Sequence, residues 1–374
     1  MTDLHFDIRD ILKAPKLAWS WRKISVSFRG ILVAWLIYII GTYISLFLTE
    51  AGRSVGVIPL FRYFEFFPVL LTEFRGTWQY VLYGLTIMVA LFYLLATATA
   101  VSRIAFEDIR GNDVFQVREA LQFAHKYGST AIVSVVVLGA LFLVFPVTLL
   151  IWGAVGRIPF VGELIFAISS IPVIVWGMLG IAVKLVFLFG LILIPSITAC
   201  LCEDVLETVI QTFTSVFLQP CRLLMYEITA KVITVVSALI FALFSFFSVI
   251  GTNMTCGLLF GNSIHDIFTI ALYRVPGALD LAMCIIAFFD QLNFVYPMIS
   301  ITDISGVSMA VHSAGVILGL SYLMIAVLVL SYAFSCFFSA QVLIYLAVRK
   351  RKEGDDLRLR RSSTDFVPEV PAES

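Results

Sequence analysis

Charge is scarce in this sequence. Only 13 % of its residues are charged, against roughly a quarter in an average water-soluble domain. Acidic and basic residues balance at 25 each, so no global field is left to gather nucleic acid or an acidic substrate. Histidine is as sparse: the four present lie far apart, none at metal-ligand spacing from another. His5 and His125 fall on the polar faces of amphipathic stretches, where solvation accounts for them. The six cysteines are scattered without a CxxC or a Cys/His zinc pattern, so neither a metal nor a cofactor is expected. GxxxxGK[ST], HExxH and GxSxG are absent as well. The first thirty residues carry Asp3, His5, Asp7 and Asp10 and lack an uninterrupted apolar core, which argues against a cleaved secretory signal.

What the chain has is apolar surface. Sixty per cent of its 374 residues are hydrophobic and the mean hydropathy is +1.01, values that make lipid the main solvent. A hydrocarbon core about 30 Å thick needs roughly 20 apolar helical residues. Six stretches supply them: Ile31 to Thr49, Gln79 to Val101, Thr130 to Val155, Val173 to Ala199, Val232 to Phe260 and Gly315 to Ala347. The last two exceed one bilayer, which tilt, a kink or a protruding helix end absorbs. Between residues 164 and 199, Pro159 and Pro172 favour a short interfacial segment ending near Ser170 and then one span. The fold class expected is an all-α polytopic transmembrane bundle. Residues 1–30 form an N-terminal segment with an interfacial amphipathic helix, 31–348 the six-span domain, and 349–374 a basic, then disordered tail.

Orientation follows from the preference of Lys and Arg for cytoplasmic loops. One side of the six-span arrangement collects 19 of the 25 basic residues, from the N-terminus, loops 103–130 and 199–231, and the tail. The other side holds Arg53, Arg62, Arg75, Arg157 and Arg274. This asymmetry predicts an inner (plasma) membrane protein with both termini cytoplasmic. The run Arg349-Lys350-Arg351-Lys352 then sits at the anionic leaflet, making membrane lipid a partner.

Amphipathic stretches precede the first, third and fifth spans. From Asp204 to Gln219, Val205, Val209, Phe213 and Val216 form an apolar stripe, while Thr208, Gln211, Thr212 and Ser215 fill the other side. Val117, Ala120, Leu121 and Ala124 alternate in the same way with Gln116, Glu119, Gln122 and Lys126, and Ile8, Ile11, Leu12 and Ala14 with Arg9, Asp10 and Lys13. Acidic pairs recur where spans end, Glu107-Asp108 and Glu203-Asp204. The unit read here is interfacial helix plus helical hairpin, used three times, with the apolar stripe turned into the headgroups. Loops 51–78 and 261–314 are too aromatic and apolar to float in water, and interfacial or re-entrant helices are expected in them.

Lys184 is the one charge well inside a span, where burial costs at least about 2.5 kcal/mol and a carboxylate partner is expected. Asp280, Asp290 and Glu163 are the candidates; a side chain that snorkels to an interface is the simpler alternative. Glu203, Asp204 and Glu207, beside Cys202, gather where a helix starts, and the helix dipole accounts for carboxylates there without any catalysis. Pro146 and Pro195 free carbonyls inside spans, though such prolines more often only kink a helix. Gly315 with Gly319, and Ser335 with Ser339, are small-xxx-small pairs suited to close helix approach. The Asn253-Met-Thr255 sequon lies within a span and is discounted.

The stretch Pro195-Ser-Ile-Thr-Ala-Cys-Leu-Cys-Glu203-Asp204, then Glu207-Thr-Val-Ile-Gln-Thr-Phe and Pro220-Cys-Arg222-Leu-Leu-Met-Tyr226, resembles a pattern in uncharacterised bacterial polytopic membrane proteins. Arg118-Glu-Ala-Leu-Gln-Phe-Ala124 looks like the related step before an earlier span. A similar layout is found in membrane domains attached to some glycerophosphodiester phosphodiesterases. The resemblance covers about a tenth of the chain and implies an architecture, not a substrate; no soluble stretch here is long enough for a phosphodiesterase domain. Function therefore reads first as a structural, accessory or lipid-organising membrane component, not an enzyme, with a membrane-protein partner or homo-oligomerisation open to it. A small transporter or channel with a site near Lys184 is the alternative.

Overall fold

The computed structural model describes residues 4–48, 77–112, 114–260, 263–273, 308–354, 357 and 359. Every regular element among them is helical: α1 (Ile8–Ile11), α2 (Ala14–Ala18), α3 (Trp21–Phe47), α4 (Thr77–Arg110), α5 (Val117–Val155), α6 (Val161–Ile168), α7 (Ser170–Leu201), α8 (Val205–Leu218), α9 (Pro220–Phe260), α10 (Ser263–Tyr273) and α11 (Met309–Glu353). Among the described residues six helices, α3, α4, α5, α7, α9 and α11, are long and apolar enough to cross a membrane. The chain is thus a multi-pass membrane protein with an all-α bundle, as its hydropathy requires. At a rise of 1.5 Å per residue, α9 with 41 residues and α11 with 45 run about 60 and 70 Å, so both outreach the hydrocarbon core.

Local chemistry sets the helix ends. A capping box opens α5: the Glu119 carboxylate accepts from the Gln116 backbone N–H at 2.9 Å while the Gln116 side chain accepts from the N3 backbone. Pro159 stops α5 from running on, and α6 follows as a separate two-turn helix. Pro172 then sits in the first turn of α7, where its missing N–H costs nothing. At the other end of α7, Cys202 adopts a left-handed conformation (φ 56°), and its N–H bonds to Thr198 O at 3.0 Å. Both Pro146 and Pro195 lie inside helices that continue through them.

The three amphipathic stretches take different forms. The stretch at 204–219 is a separate helix, α8, because Pro220 starts a new one. The stretch at 116–126 has no such break and merges into α5, and the N-terminal stretch is divided between α1 and α2.

The chain divides into two compact units, Met1–Thr234 with Phe334–Ser374, and Val235–Ala333. In the first, α3 packs on α4, α4 on α5 and α7, α5 on α7, and α8 against α7 and α5. Glycines set the α3–α4 seam, for Gly30 lies under Thr97 and Gly41 under Thr86, eleven residues, or about three turns, apart on both helices. The tight core lies at one end of this unit, the basal end, where α3 starts and α4 and α11 finish. There Val26, Ala98, Ala100, Val101, Ile104, Phe115, Ala120 and Phe338 form one buried cluster. Toward its other end α7 turns Ile171, Ile174, Met178 and Ile181 outward, each more than 60 % exposed, as a lipid-facing helix must.

In the second unit, Phe268 and Leu272 of α10 pack with Phe246, Val249 and Ile250 of α9 and Tyr322 of α11. Asn253 donates to Val249 O at 2.8 Å and to the Tyr322 hydroxyl at 2.6 Å, so this sequon asparagine is tied into packing. Helix α10 and the start of α11 fall within the apolar loop 261–314; residues 261–262 and 274–307 of that loop, and nearly all of 51–78, lie outside the described residues.

Candidate functional site: a buried charge cluster at the basal end

Among the described residues, six charged side chains meet where α3 begins and α4 ends. Along α4, Arg103, Glu107 and Arg110 follow at helical spacings of four and three, which puts them on one face. Glu107 accordingly pairs within its own helix, at 2.5 Å from Arg103 and 3.6 Å from Arg110. Asp108, one residue on and about 100° around the helix, points to α3 instead. It lies 2.7 Å from the Lys23 ammonium and 3.0 Å from Arg22, which also donates to Phe115 O at 2.8 Å. The Lys23 side chain is completely buried, a position in which an ammonium persists only when paired.

Arg103 does more than balance Glu107. Its guanidinium donates to Ala199 O at 2.9 Å and to Cys202 Sγ at 3.2 Å, and so closes the carbonyl end of α7 with a cation where the helix dipole favours one. The same group lies over the Phe123 ring, 4.9 Å from its centroid. One side chain thus ties α4 to α5 and α7. Beside it, the Ser102 and Ser196 hydroxyls meet at 3.2 Å. Burial pushes the Cys202 thiol up, while Arg103 pulls it part of the way back. Among the described residues the cluster brings four cations together with two carboxylates.

The basic end of α11 arrives at the same end of this unit. Arg349 is buried and donates to the Tyr345 hydroxyl at 3.0 Å. Lys350 lies over the Phe6 ring, 5.4 Å from its centroid, Arg351 pairs with Asp7, and Lys352 reaches Gln211 Oε1 of α8 at 3.4 Å. Helix α8 is turned with its polar side to the protein: Thr208, Gln211, Thr212 and Ser215 are buried, whereas Leu206, Ile210 and Phe217 point outward.

The carboxylates near α8 do not converge. Asp204 occupies the N-cap position without a side-chain cap bond, Glu207 accepts from Gln211 at 2.7 Å, and Glu203 is half-buried. Among the described residues no group of three His, Cys, Asp or Glu side chains is placed to hold a metal ion. Lys184 is exposed on α7 next to Leu185 and Leu188, which are also exposed, and Glu163 is exposed on α6. Lys184 has no ion pair among the described residues, and Asp280 and Asp290 lie outside them.

Sequence reasoning missed Arg22, Lys23 and Arg103 as a set. The available signal was Arg103 placed four residues before the acidic pair Glu107-Asp108, a spacing that pairs on a helix. Comparison with family models, with curated proteins and with solved structures finds no match for this chain.

Proposed function

We propose that this protein is a structural, lipid-organising component of a cell inner membrane, its basal end on the cytoplasmic side and its termini with it. The observation that carries this reading is the contact of Lys352 with Gln211. It sets the basic end of α11 beside α8, whose Leu206, Ile210 and Phe217 face outward. Apolar side chains next to lysine and arginine make a surface that takes acyl chains and anionic headgroups together. The bias of basic residues to one side supports the same orientation.

Neutralising the surface tests it. With Lys350, Arg351 and Lys352 all changed to Gln, retention of anionic lipid in native mass spectra should fall while retention of zwitterionic lipid stays the same. Equal retention of both by variant and parent refutes the proposal. Transport through a site at Lys184 finds less support, because its side chain lies on the outer surface of α7 among exposed leucines.

A further inference from the structure

Helices α9 and α11 run antiparallel along a seam within the first unit. Thr234 Oγ1 meets Cys336 Sγ at 3.8 Å, and further toward the start of α9 Gln341 Nε2 donates to Glu227 Oε2 at 2.9 Å. Glu227 is 2 % exposed and Gln341 fully buried. Each has one more side-chain oxygen, Glu227 Oε1 and Gln341 Oε1, and both are buried without a hydrogen-bond partner among the described residues. Two bare acceptors in one buried pair are costly, because each has given up its water for nothing. One added donor removes the deficit.

We propose that Glu227 and Gln341 form a proton-binding site. A proton on Glu227 Oε1 turns that oxygen into a donor, and Gln341 Oε1 is the acceptor left over. The carboxylic acid and the carboxamide then close a two-bond ring, amide N–H to acid C=O and acid O–H to amide C=O. Loss of the proton leaves a carboxylate in the seam with one hydrogen bond. Lys231, one turn along α9 and exposed, is the charge within electrostatic reach. From α11 the group facing Glu227 is the neutral Gln341 itself, and the titratable groups nearby on that helix are Cys336 and Tyr345, the latter bonded to Arg349. A buried acid at a helix seam makes the packing of α9 on α11 responsive to proton uptake.

Infrared difference spectroscopy of the full chain in lipid, titrated from acid to alkaline pH, tests this. Expected is a protonated-carboxyl C=O band at neutral pH that shifts in deuterated water, is lost in Glu227→Gln, and moves in Gln341→Met, where the acid has lost its partner. Glu227→Gln keeps the two-bond ring as an amide pair without a titrating proton, so its thermal unfolding should match the parent at neutral pH. No such band at neutral pH in the parent overturns the proposal, whichever variants fold. So does a band that survives Glu227→Gln, or an ionised-carboxylate spectrum that responds to sodium, which would make the occupant a metal cation.

Discussion

The seam between α3 and α4 makes a steric prediction that can be sized. A Cβ added to Gly30 would lie 2.8 Å from Thr97 Cβ, against the 3.5–4.0 Å of an ordinary carbon–carbon contact. Thr97 cannot swing clear, since its Cβ is fixed by its backbone and its hydroxyl is tied to Tyr93 O at 2.9 Å. Gly30→Ala therefore forces the helices apart by roughly an ångström, an overpacking that costs about 1–3 kcal/mol. The substitution also gains about 1 kcal/mol of helix propensity. Gly84→Ala on α4, where an added Cβ meets nothing within 4 Å, makes the same gain without the clash. The difference between the two variants isolates the overpacking, so Gly30→Ala should be less stable than Gly84→Ala by about 1–3 kcal/mol. Reversible unfolding in mixed detergent–SDS micelles measures it. Combining Gly30→Ala with Thr97→Gly restores the space and should recover most of the loss. Equal stability of the two alanine variants, or no recovery in the double variant, would refute the packing described for this seam.

Other perturbations have ordered outcomes. Asp108→Asn strips a fully buried Lys23 of its carboxylate and should cost about 3–5 kcal/mol, whereas Lys23→Met leaves Asp108 with Arg22 at 3.0 Å and should cost less; unfolding midpoints in the reverse order would contradict the cluster as described. At neutral pH a water-soluble alkylating reagent should modify exposed Cys221 well before Cys202, whose thiol is raised by burial. The Cys202 rate should still be climbing above pH about 8.5, where a free thiol is already half ionised. Peptide mass mapping over a pH series reads both, and equal rates would refute the burial. Tyr322→Phe deletes the hydroxyl that Asn253 meets at 2.6 Å and should lower stability by about 1 kcal/mol, because Asn253 keeps its bond to Val249 O; a thermal shift several times larger would mean the contact carries more than one hydrogen bond.

Runs of apolar residues made the six long helices legible in the sequence, and turn chemistry at Pro159, Pro172 and Pro220 marked several of their ends. The stripe read for α8 is not its outward side: Val205, Val209 and Phe213 are half-buried and Val216 is buried. Thr208 and Thr212 turn inward with their hydroxyls bonded to Asp204 O and Thr208 O of their own helix, and Leu206, Ile210 and Phe217 are left pointing outward. The charge cluster was only half legible. Glu107 and Asp108 stood out as a pair, and Glu107 finds its cations on its own helix, yet Lys23, which pairs with Asp108, lies 85 residues earlier in the chain. Glu227 and Gln341 are 114 residues apart in the chain, and neither is unusual until the two helices meet. Lys184 shows the opposite case: its position in a span is plain from the sequence, while its place on the outer surface of α7 depends on how that helix is rotated.

That rotation also decides between a lipid-facing scaffold and a conduit. A spin label placed by Lys184→Cys, in a background without the other cysteines and reconstituted in lipid, reports collisions with oxygen and with a water-soluble nickel chelate. The account predicts frequent collisions with oxygen and few with the chelate, as on a surface facing acyl chains. Frequent collisions with the chelate would put water beside position 184, and the bundle would then have to be read as a path through the membrane.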